Sequence, residues 1–390
     1  MLDIALAFAL CIVWGFALVR AWLGLAALRE LPSGLPLPEK PPLVSVVVAA
    51  KEEQDHIEET IRRLLRQTYP RLEIIAVNDR SNDATGAKID DIKRWVDALR
   101  SEHPRLTAVH ITQLPKGWLG KNHALYQGSL QARGTYLLFT DADVRFDEDA
   151  IRDAVAYAIA QKADHVTLLP KMEARGFWLR GFVQYVLFSI CLWLPPWLGN
   201  DDRQKKTGMG VGAFNLIRRE TYERIGTHRA LSMRPDDDLR LGMLVKQAGC
   251  RQRVALGAKR IAVEWYPSLR AAILGLEKNL YSGFSFRLPL AGAGAGLQLL
   301  CCALPLTALL WARGPAFGLY AAAAALFAAV YALHARRLAL DRGLTAAALP
   351  VSVYLFVWVM IRSIALAHIR KGVYWRGTFY KLDELREWFR

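Results

Sequence analysis

The sequence predicts a mainly parallel α/β domain that is joined to membrane-spanning helices at both ends. Three observations support this prediction: apolar β-favouring runs alternate with helical patterns over residues 44–169, polar residues follow the predicted strands, and lipid-like stretches lie towards both ends. Strands that alternate with helices form parallel sheets with helices on both faces. An apolar stretch of about 20 residues is long enough to cross a bilayer.

The composition restricts the possible partners. The 390 residues carry a formal net charge of +15, and 53% of them are hydrophobic. Much of the positive charge lies beside apolar stretches, which favours anionic lipid headgroups as its partner. No zinc-finger spacing or basic–aromatic stripe indicates nucleic-acid binding. The five cysteines include no C-x-x-C pair and mostly lie in hydrophobic stretches, as expected in a reducing cytoplasm.

Residues 1–30 are predicted to form an N-terminal transmembrane anchor. Residues 2–28 are almost wholly apolar, and no basic segment precedes them as it would in a signal peptide. Arg29 and Lys40 follow this stretch, so the positive-inside rule predicts a multi-pass protein of the inner membrane with its middle part in the cytoplasm. Residues 31–43 contain five prolines and are expected to form a stiff linker.

Residues 44–287 are predicted to form the α/β domain. Their apolar, β-favouring composition predicts strands at residues 44–50, 72–78, 106–111, 136–140 and 165–169. Helical spacing predicts helices from residue 57 to Pro70 and at residues 87–99, 121–131 and 147–160. Ligands of such sheets bind at the carboxyl ends of the strands.

Acidic and polar residues follow three of these strands. Residues 51–53 (K-E-E) come after the first strand, residues 78–83 (N-D-R-S-N-D) after the second, and residues 141–143 (D-A-D) after the fourth. The small Ala142 would let both neighbouring aspartates approach one object, and Mg²⁺ or Mn²⁺ carrying a phosphate group is the simplest such object. An Asp-rich loop that caps the helix near Asp147 is the alternative. Clusters at three strand ends favour a metal and nucleotide site.

Three later segments of the domain are also candidates for function. Residues 176–199 are apolar with basic flanks, which favours a helix in the membrane interface over a buried core helix. The glycine-rich residues 208–213 lack the G-x-G-x-x-G spacing of a dinucleotide site, so we interpret them as a loop over the substrate. The three aspartates at residues 236–238 exceed what a helix cap needs, which makes at least one available for chemistry.

Residues 288–368 are predicted to contain the C-terminal transmembrane segments, with candidate spans at residues 288–311, 315–334 and 345–361. Basic residues flank the last span on both sides, namely Arg336, Arg337 and Arg342 before it and Arg370, Lys371 and Arg376 after it. Either this segment is re-entrant or the positive-inside rule fails at one loop. Residues 369–390 are expected to form a basic amphipathic tail.

Together, these motifs resemble membrane-bound family 2 glycosyltransferases of the GT-A fold, and among them bacterial enzymes that glycosylate carotenoid acids, hopanoids or ceramides. The resemblance covers residues 42–287 and extends loosely to residues 375–380, W-R-G-T-F-Y, which are similar to a terminal W-K-G-R-x-Y. It implies a Rossmann-like GT-A domain in the cytoplasm with transmembrane helices on both sides.

The resemblance implies residues that bind the donor, a UDP-sugar. Residues 48–53 look like V-x-A-R-N-E-E, in which Glu52 would contact the nucleoside, although residues 50 and 51 depart from that motif. Residues 77–83 are similar to V-D-D-G-S-x-D, in which Asp79 would bind the uridine and Asn78 departs from the first aspartate. Residues 115–121 resemble P-x-G-W-x-G-K, in which Lys121 would approach the diphosphate.

The resemblance also implies residues for the metal and for the chemistry. Asp143 would hold Mg²⁺ or Mn²⁺, with Asp141 nearby to assist or to orient the sugar or ribose. Residues 237–242 resemble E-D-x-x-L-G, which makes Asp238 the catalytic base and puts Asp237 in the place of the glutamate. Lys278 lies in a segment similar to a K-N motif of some carotenoid-type enzymes and would contact a phosphate; an interfacial lysine is the alternative.

The Q-x-x-R-W motif of processive polysaccharide synthases is missing from the sequence. The resemblance therefore implies an inverting enzyme that transfers one sugar from a UDP-sugar to a hydroxyl or carboxyl group of a membrane lipid. A polyprenyl-phosphate sugar synthase is the nearest alternative, followed by a processive synthase and a non-catalytic membrane scaffold. The sequence predicts neither the sugar, nor the lipid, nor the oligomeric state.

Overall fold

The structure is a computed structural model that describes residues 1–99, 105–338, 344–375 and 377–388. The chain divides into two compact units. The sheet unit comprises residues 28–172 and 196–264, and the helical unit comprises residues 1–27, residues 173–195 and the chain from residue 265 onward. The predicted domain at residues 44–287 is therefore distributed over both units.

The elements are numbered along the whole chain. The strands are β1 (Val44–Ala50), β2 (Leu72–Asp79), β3 (Arg105–Ile111), β4 (Tyr136–Asp141), β5 (Val144–Phe146), β6 (His165–Leu169), β7 (Lys171–Glu173), β8 (Asn215–Arg218), β9 (Gln252–Leu256), β10 (Ile261–Glu264), β11 (Gly372–Trp375) and β12 (Thr378–Lys381). The helices are α1 (Leu2–Ala27), α2 (Ile57–Leu65), α3 (Thr85–Ala98), α4 (Gly120–Gln131), α5 (Ala150–Ala160), α6 (Phe177–Trp193), α7 (Arg219–Arg224), α8 (Asp237–Gln247), α9 (Leu269–Ser282), α10 (Leu288–Gln298), α11 (Leu304–Ala308), α12 (Gly314–Leu338), α13 (Leu349–Ile369) and α14 (Leu382–Glu387).

The sheet unit is built on a seven-stranded sheet with the order β3-β2-β1-β4-β8-β6-β9. Strand β1 runs parallel to β2 and β4, β2 runs parallel to β3, and β6 runs parallel to β9. The predicted mainly parallel sheet is therefore confirmed. Strand β8, which the sequence analysis missed, runs antiparallel to both β4 and β6 and separates them. A second, three-stranded sheet has the order β5-β10-β7.

Burial on both faces explains why β1 is a continuous apolar run. Val46 and Val48 belong to one hydrophobic core, while Val47 and Ala49 belong to another on the opposite face. A parallel strand that is covered on both sides has no solvent-facing residues and therefore shows no polar alternation. This central strand delivers its carboxyl end, and that of its neighbour β4, to one edge of the sheet.

Two predicted helix boundaries were wrong in the sheet unit. Helix α2 ends at Leu65 and not at Pro70, and α5 begins at Ala150 and not at Asp147. The short strand β5 lies between the Asp-Ala-Asp segment and α5, and it pairs with β10 from far along the chain. Asp147 instead forms an ion pair with Arg260, with 2.5 Å between the carboxylate and Nη1.

Among the described residues of the helical unit, four helical segments are long and apolar enough to cross a membrane: Leu2–Ala27, Leu288–Ala308, Gly314–Leu338 and Thr345–Ile369. They coincide with the predicted anchor and the three predicted C-terminal spans. The last segment continues past the predicted end at residue 361, where the Arg362 guanidinium pairs with the Glu277 carboxylate of α9 at 2.5 Å. Of the basic residues that flank this segment, Arg342 and Arg376 lie outside the described residues.

Helix α6 contributes large aromatic side chains to the interior of the helical unit. Tyr185 is buried, and its hydroxyl donates to Gln298 Oε1 at 2.7 Å. Phe188 is also buried, with its ring centroid 5.4 Å from that of Tyr331. Phe177 and Trp193, at the two ends of the helix, are exposed. The location of residues 176–199 at a membrane interface stays a prediction.

Candidate functional site

The loops after β1 and β2 are joined by hydrogen bonds between their polar residues. The Glu52 carboxylate accepts a bond from the Asn82 backbone N–H at 3.0 Å and from its side-chain amide at 3.2 Å. The Asp83 carboxylate accepts a bond from the Gln54 backbone N–H at 3.1 Å. Glu52 is exposed at this edge of the sheet, and its predicted contact with a nucleoside stays a prediction.

Asp79 ends β2 as a buried carboxylate with a guanidinium partner next to it. Arg80 Nε lies 2.7 Å from Asp79 Oδ1, and Arg80 Nη2 lies 3.1 Å from Oδ2. Arg80 has a positive φ of 55°, a conformation that favours glycine, and it occupies the glycine position of the V-D-D-G-S-x-D motif. Gly120 begins α4 against this pair, and a Cβ there would collide with the Asp79 carboxylate.

The Asp-Ala-Asp segment turns from β4 into β5, and its middle residue points to the core. Ala142 is buried, while Asp141 and Asp143 are half-buried. The Thr60 hydroxyl of α2 donates to the Ala142 carbonyl at 2.8 Å and lies 3.2 Å from the Val144 carbonyl. Core packing therefore explains the small residue at position 142. Thr60 was missed by the sequence analysis, although a polar residue on the apolar face of α2 is a visible signal.

Lys121 connects the end of β4 to the start of α8. Its Nζ lies 2.7 Å from Asp141 Oδ1 and 3.9 Å from Asp237 Oδ2, and 25% of the side chain is exposed. Burial alone would lower the pKa of Lys121, but the carboxylates of Asp141, Asp237 and Asp238 outweigh burial and raise its pKa well above the usual value. The lysine is therefore a fixed positive charge among three carboxylates.

The three consecutive aspartates have three different partners. Asp236 forms a two-pronged ion pair with Arg234, with distances of 2.9 and 2.8 Å, and its side chain makes no helix-capping bond. Asp237 is buried and faces Lys121. Asp238 is half-buried; its Oδ2 accepts a bond from the Gly212 N–H and its Oδ1 from the Leu239 N–H, both at 2.7 Å. Of the three side chains, only that of Asp238 therefore satisfies a free N–H group in the first turn of α8, and it also bonds outside the helix, to Gly212.

Burial changes the proton affinity of Asp237 and Asp238. Burial raises the pKa of Asp237 to about 7, an effect that Lys121 opposes and that the neighbouring carboxylates of Asp238 and Asp141 reinforce. Burial also raises the pKa of Asp238, against the influence of Lys121 and of the N–H groups of Leu239 and Gly212. Carboxylates with raised pKa values are suited to accept a proton near neutral pH.

A glycine-rich loop, residues 208–213, packs against the first turns of α8. A Cβ at Gly210 would collide with the Asp238 carbonyl, and a Cβ at Gly212 would lie 2.5 Å from Asp141 Oδ2. Gly212 also bonds in two directions, because its N–H donates to Asp238 Oδ2 at 2.7 Å and its carbonyl accepts from the Asp141 N–H at 3.2 Å. The glycines therefore permit close approach of the backbone to both acidic motifs.

Three buried polar side chains form the hydrogen bonds that fix the position of this loop. His165 Nδ1 accepts a bond from Gln252 Nε2 at 2.8 Å, and its Nε2 lies 3.1 Å from Asn215 Oδ1. Gln252 also bonds both the N–H and the carbonyl of Met209 at 2.9 Å, and Asn215 Nδ2 donates to the Val211 carbonyl at 2.8 Å. Burial lowers the pKa of His165 to about 4, so the imidazole is neutral at neutral pH.

A small internal cavity lies between α4, β4 and α8. Lys121, Thr140, Gly212, Asp237 and Asp238 line it together with apolar side chains, and its volume is about 10 Å³. This volume is close to the minimum that one water molecule needs. Asp238 therefore borders a space of about the size of one water molecule.

Residues 45–226 match the domain described as Glycosyl transferase family 2. The chain carries a family 2 glycosyltransferase domain. It is 28% identical over 223 residues to a probable glycosyltransferase, YdaM, of Bacillus subtilis (strain 168), in an alignment that covers 54% of this chain and 49% of YdaM. The chain thus spans about half the length of that relative.

A second relative extends over the apolar segments. The 4,4'-diaponeurosporenoate glycosyltransferase of Staphylococcus aureus (strain MRSA252) is 23% identical over 354 residues, which cover 87% of this chain and 89% of the relative. A solved structure with a similar fold is that of the mannosyltransferase PcManGT from Pyrobaculum calidifontis in complex with GDP-Man and Mn²⁺. Its superposition has a TM-score of 0.57 at 20% identity and covers 94% of this chain and 99% of PcManGT. The predicted GT-A fold with apolar helices on both sides is confirmed.

The acidic motifs of the glycosyltransferase domain suit a metal ion that arrives with its substrate. Within the described ranges, no three His, Cys, Asp or Glu side chains come together as a complete protein site for a metal. Mg²⁺ needs fewer protein ligands, since it is usually held by one or two carboxylates plus substrate phosphates and water. Asp141 already accepts a cation, the Lys121 ammonium, at 2.7 Å. Asp141 therefore fits the predicted ion, and the role of Asp143 as its ligand stays a prediction.

Lys278, the remaining predicted site residue, is described within the helical unit. Its Nζ lies 4.7 Å from the ring centroid of Trp375, in the geometry of a cation–π contact. Trp375 belongs to the W-R-G-T-F-Y segment and ends β11, which pairs with β12; position 376 lies outside the described residues. A phosphate contact of Lys278 stays a prediction.

Proposed function

We propose that the protein is an inverting glycosyltransferase that moves one sugar from a UDP-sugar to a hydroxyl or carboxyl group of a membrane lipid at the cytoplasmic face of the inner membrane. One observation carries this proposal: Asp238, a carboxylate with a raised pKa, is held by the backbone N–H of Gly212, whose carbonyl in turn bonds Asp141. A base for the acceptor is thus connected through one residue to the motif expected to bind the donor.

On the donor side, separate groups of residues would bind the nucleoside and the diphosphate. Glu52 and Asp79 lie at the carboxyl ends of β1 and β2, where ligands of parallel sheets bind, and they would hold the nucleoside. Lys121 lies in the first turn of α4, whose N-terminal N–H groups also favour anions, and its ammonium would pair with the diphosphate. The arrival of the diphosphate would move Lys121 Nζ away from Asp141, which becomes available to a cation.

Asp141 and Asp143 would hold Mg²⁺ or Mn²⁺ together with the diphosphate. Such an ion stabilises the charge of a leaving phosphate by several kcal/mol. Removal of divalent cations with EDTA should therefore abolish transfer, and Asp143→Asn should raise the Mn²⁺ concentration needed for half-maximal activity. Transfer that continues undiminished in EDTA would contradict a role for the metal.

Asp238 would take the proton from the acceptor hydroxyl as its oxygen attacks the anomeric carbon. The new carbon–oxygen bond forms on the face opposite the departing UDP, so the configuration at the anomeric carbon is inverted. Two N–H bonds fix the Asp238 carboxylate, and its raised pKa improves its basicity near neutral pH. Asp237 keeps Lys121 oriented from the opposite side.

A lipid acceptor is supported by two observations. In the part of the helical unit that the structure describes, four segments are long and apolar enough to cross a membrane. The Staphylococcus aureus relative, which aligns with 87% of this chain, is named for a diaponeurosporenoate, an apolar acid. A membrane-embedded enzyme meets apolar acceptors at high local concentration, which favours a lipid over a soluble acceptor.

The substitution Asp238→Asn tests the proposal, with Asp236→Asn as the matched control on the same turn. Asp238→Asn should lower transfer by about 10²- to 10⁴-fold, the usual contribution of a general base, and leave the affinity for UDP unchanged. Asp236→Asn should keep near wild-type transfer. Transfer is measured as sugar-bearing lipid by mass spectrometry and UDP affinity by calorimetry. Near wild-type turnover of Asp238→Asn would refute the assignment, and an acid-labile phosphodiester product would identify a lipid phosphate as the acceptor.

A further inference from the structure

The β11–β12 hairpin has one face that packs inward and one face that does not. The register pairs Tyr374 with Phe379 across the two strands, and their ring centroids are 5.0 Å apart. The exposed fraction is 58% for Tyr374 and 40% for Phe379. Two adjacent aromatic rings on the outside of a two-stranded hairpin form an apolar patch that soluble proteins rarely expose to water.

The opposite face fixes the hairpin to the rest of the helical unit. Tyr380 is buried, and the Trp375 ring lies under the Lys278 ammonium. On the aromatic face, Gly372 lies beside the Phe379 ring, and a Cβ at that position would collide with it. The exposed rings therefore belong to a hairpin that packs against the rest of the helical unit.

The hairpin also follows directly from a segment that is apolar enough to cross a membrane. That segment, Thr345–Ile369, ends three residues before β11 begins at Gly372. Lys371 turns the chain with a positive φ of 56°, and its carbonyl accepts a bond from the Leu382 N–H at 3.0 Å, which closes the hairpin against the end of α13. The hairpin consequently lies at the level where such a helix would leave the hydrocarbon.

Exposed basic residues lie at both ends of the hairpin; the Arg370 guanidinium also lies 3.9 Å from the Glu277 carboxylate. Arg370 and Lys371 precede β11, and Lys381 ends β12. Aromatic rings concentrate at the boundary between hydrocarbon and headgroups, and lysine and arginine near that boundary are attracted to anionic phospholipids. Both features occur here on one rigid element at the end of one apolar helix.

We propose that the β11–β12 hairpin is a binding surface for anionic phospholipid headgroups, with Tyr374 and Phe379 inserted at the hydrocarbon boundary and Arg370, Lys371 and Lys381 against the phosphates. This inference rests on the proposed membrane location of the enzyme and extends it. It gives the W-R-G-T-F-Y segment a function as a lipid-facing element, whose inner face orients Lys278 through Trp375.

The test is photocrosslinking of the full-length chain in nanodiscs that contain equal amounts of phosphatidylglycerol and phosphatidylcholine. The photoreactive residue p-benzoyl-phenylalanine replaces Phe379 in one variant. It replaces Phe16, an exposed residue of the apolar helix α1, in a second variant, and Trp95, an exposed aromatic residue of the sheet unit, in a third. Adducts are identified by mass spectrometry, and folding of each variant is checked by UDP binding.

The proposal expects lipid adducts at positions 379 and 16 and none at position 95. Lipid adducts at position 16 without any at position 379 would overturn the hairpin proposal and leave the membrane location intact. Loss of adducts at both positions would contradict the membrane location itself. A crosslink from position 379 to a second copy of the chain, or to another protein, would also overturn the proposal.

A second arm measures the charge preference. In the Phe379 photoreactive variant, Lys371→Asn and Lys381→Ser should each lower the ratio of phosphatidylglycerol to phosphatidylcholine adducts by about fivefold, as expected for one lysine near an anionic surface. Asparagine is chosen at position 371 because it tolerates a positive φ. The control is Lys116→Ser on an exposed loop of the sheet unit. An unchanged ratio in both hairpin variants would overturn the preference for anionic headgroups.

Discussion

Acid should weaken the sheet unit through one buried imidazole, His165. Burial lowers its pKa from 6.5 to about 4, so below pH 6.5 the unfolded chain binds a proton that the folded chain does not bind. The stability contributed by neutral His165 is complete above pH 6.5 and is lost as the pH falls towards 4. At pH 5 the loss is about 2 kcal/mol, from about 1.4 kcal/mol for each pH unit below 6.5.

The contacts of His165 identify where this loss appears first. Its Nδ1 accepts a bond from Gln252 Nε2 at 2.8 Å, so a proton on Nδ1 would set two donors against each other. Gln252 is also the residue that bonds both backbone groups of Met209. Protonation of His165 should therefore release the glycine-rich loop and, with it, the Gly212 N–H that orients Asp238.

Hydrogen exchange read by mass spectrometry measures this effect on the full-length chain. For peptides that cover residues 208–215, protection corrected for intrinsic exchange should fall about 30-fold between pH 7 and pH 5, which corresponds to about 2 kcal/mol. His165→Gln should remove most of this pH dependence. His56→Gln, at an exposed histidine that precedes α2, should retain it.

The comparison between variants isolates His165 from the carboxylates of the site. The raised pKa values of Asp237 and Asp238 act in the opposite direction, because these groups favour the folded state more as the pH falls. Their contribution is common to all three proteins. If His165→Gln shows the same change of protection with pH as the wild type, the imidazole does not govern the loop and the reasoning is refuted.

Two further substitutions test the site itself. Lys121→Met should weaken UDP binding by about 10- to 100-fold, because it removes a charged partner of the diphosphate. Lys116→Met, in the loop before α4, should leave the affinity unchanged. Equal affinities of the two variants by calorimetry would contradict this role of Lys121. Gly212→Ala should lower transfer at least tenfold, since its Cβ would lie 2.5 Å from the Asp141 carboxylate. The control is Gly318→Ala, where a Cβ meets nothing within 4 Å, and it should leave transfer unchanged. A fully active Gly212→Ala variant would show that the loop can move to accept the Cβ.

The elements that the sequence predicts well are those whose own residues carry the signal. The central strand β1 is apolar on both faces and was predicted with its observed boundaries, Val44–Ala50. The four apolar segments of the helical unit were found because length and hydropathy are local properties. The pair at Asp141 and Asp143 stood out because two charges end an apolar strand.

The parts that escaped prediction depend on partners far away in the chain. Strand β8 has only four residues, Asn215–Arg218, and exists because it fits between β4 and β6. The bond of His165 to Gln252 joins residues 87 positions apart, and no local pattern announces it. The partners of Asp236, Asp237 and Asp238 likewise could not be predicted from the sequence, since helix geometry decides which neighbour each side chain meets.

The double bonding of Gly212 has a consequence for how such an enzyme can diversify. Its N–H donates to the Asp238 carboxylate and its carbonyl accepts from the Asp141 N–H, so the main chain of one residue sets the spacing between these two acidic motifs. Side chains around the site can then be exchanged during evolution to accept another sugar or another lipid without altering that spacing. Gly212, which has no side chain, would in this way keep the distance between the Asp141 and Asp238 motifs the same for every substrate.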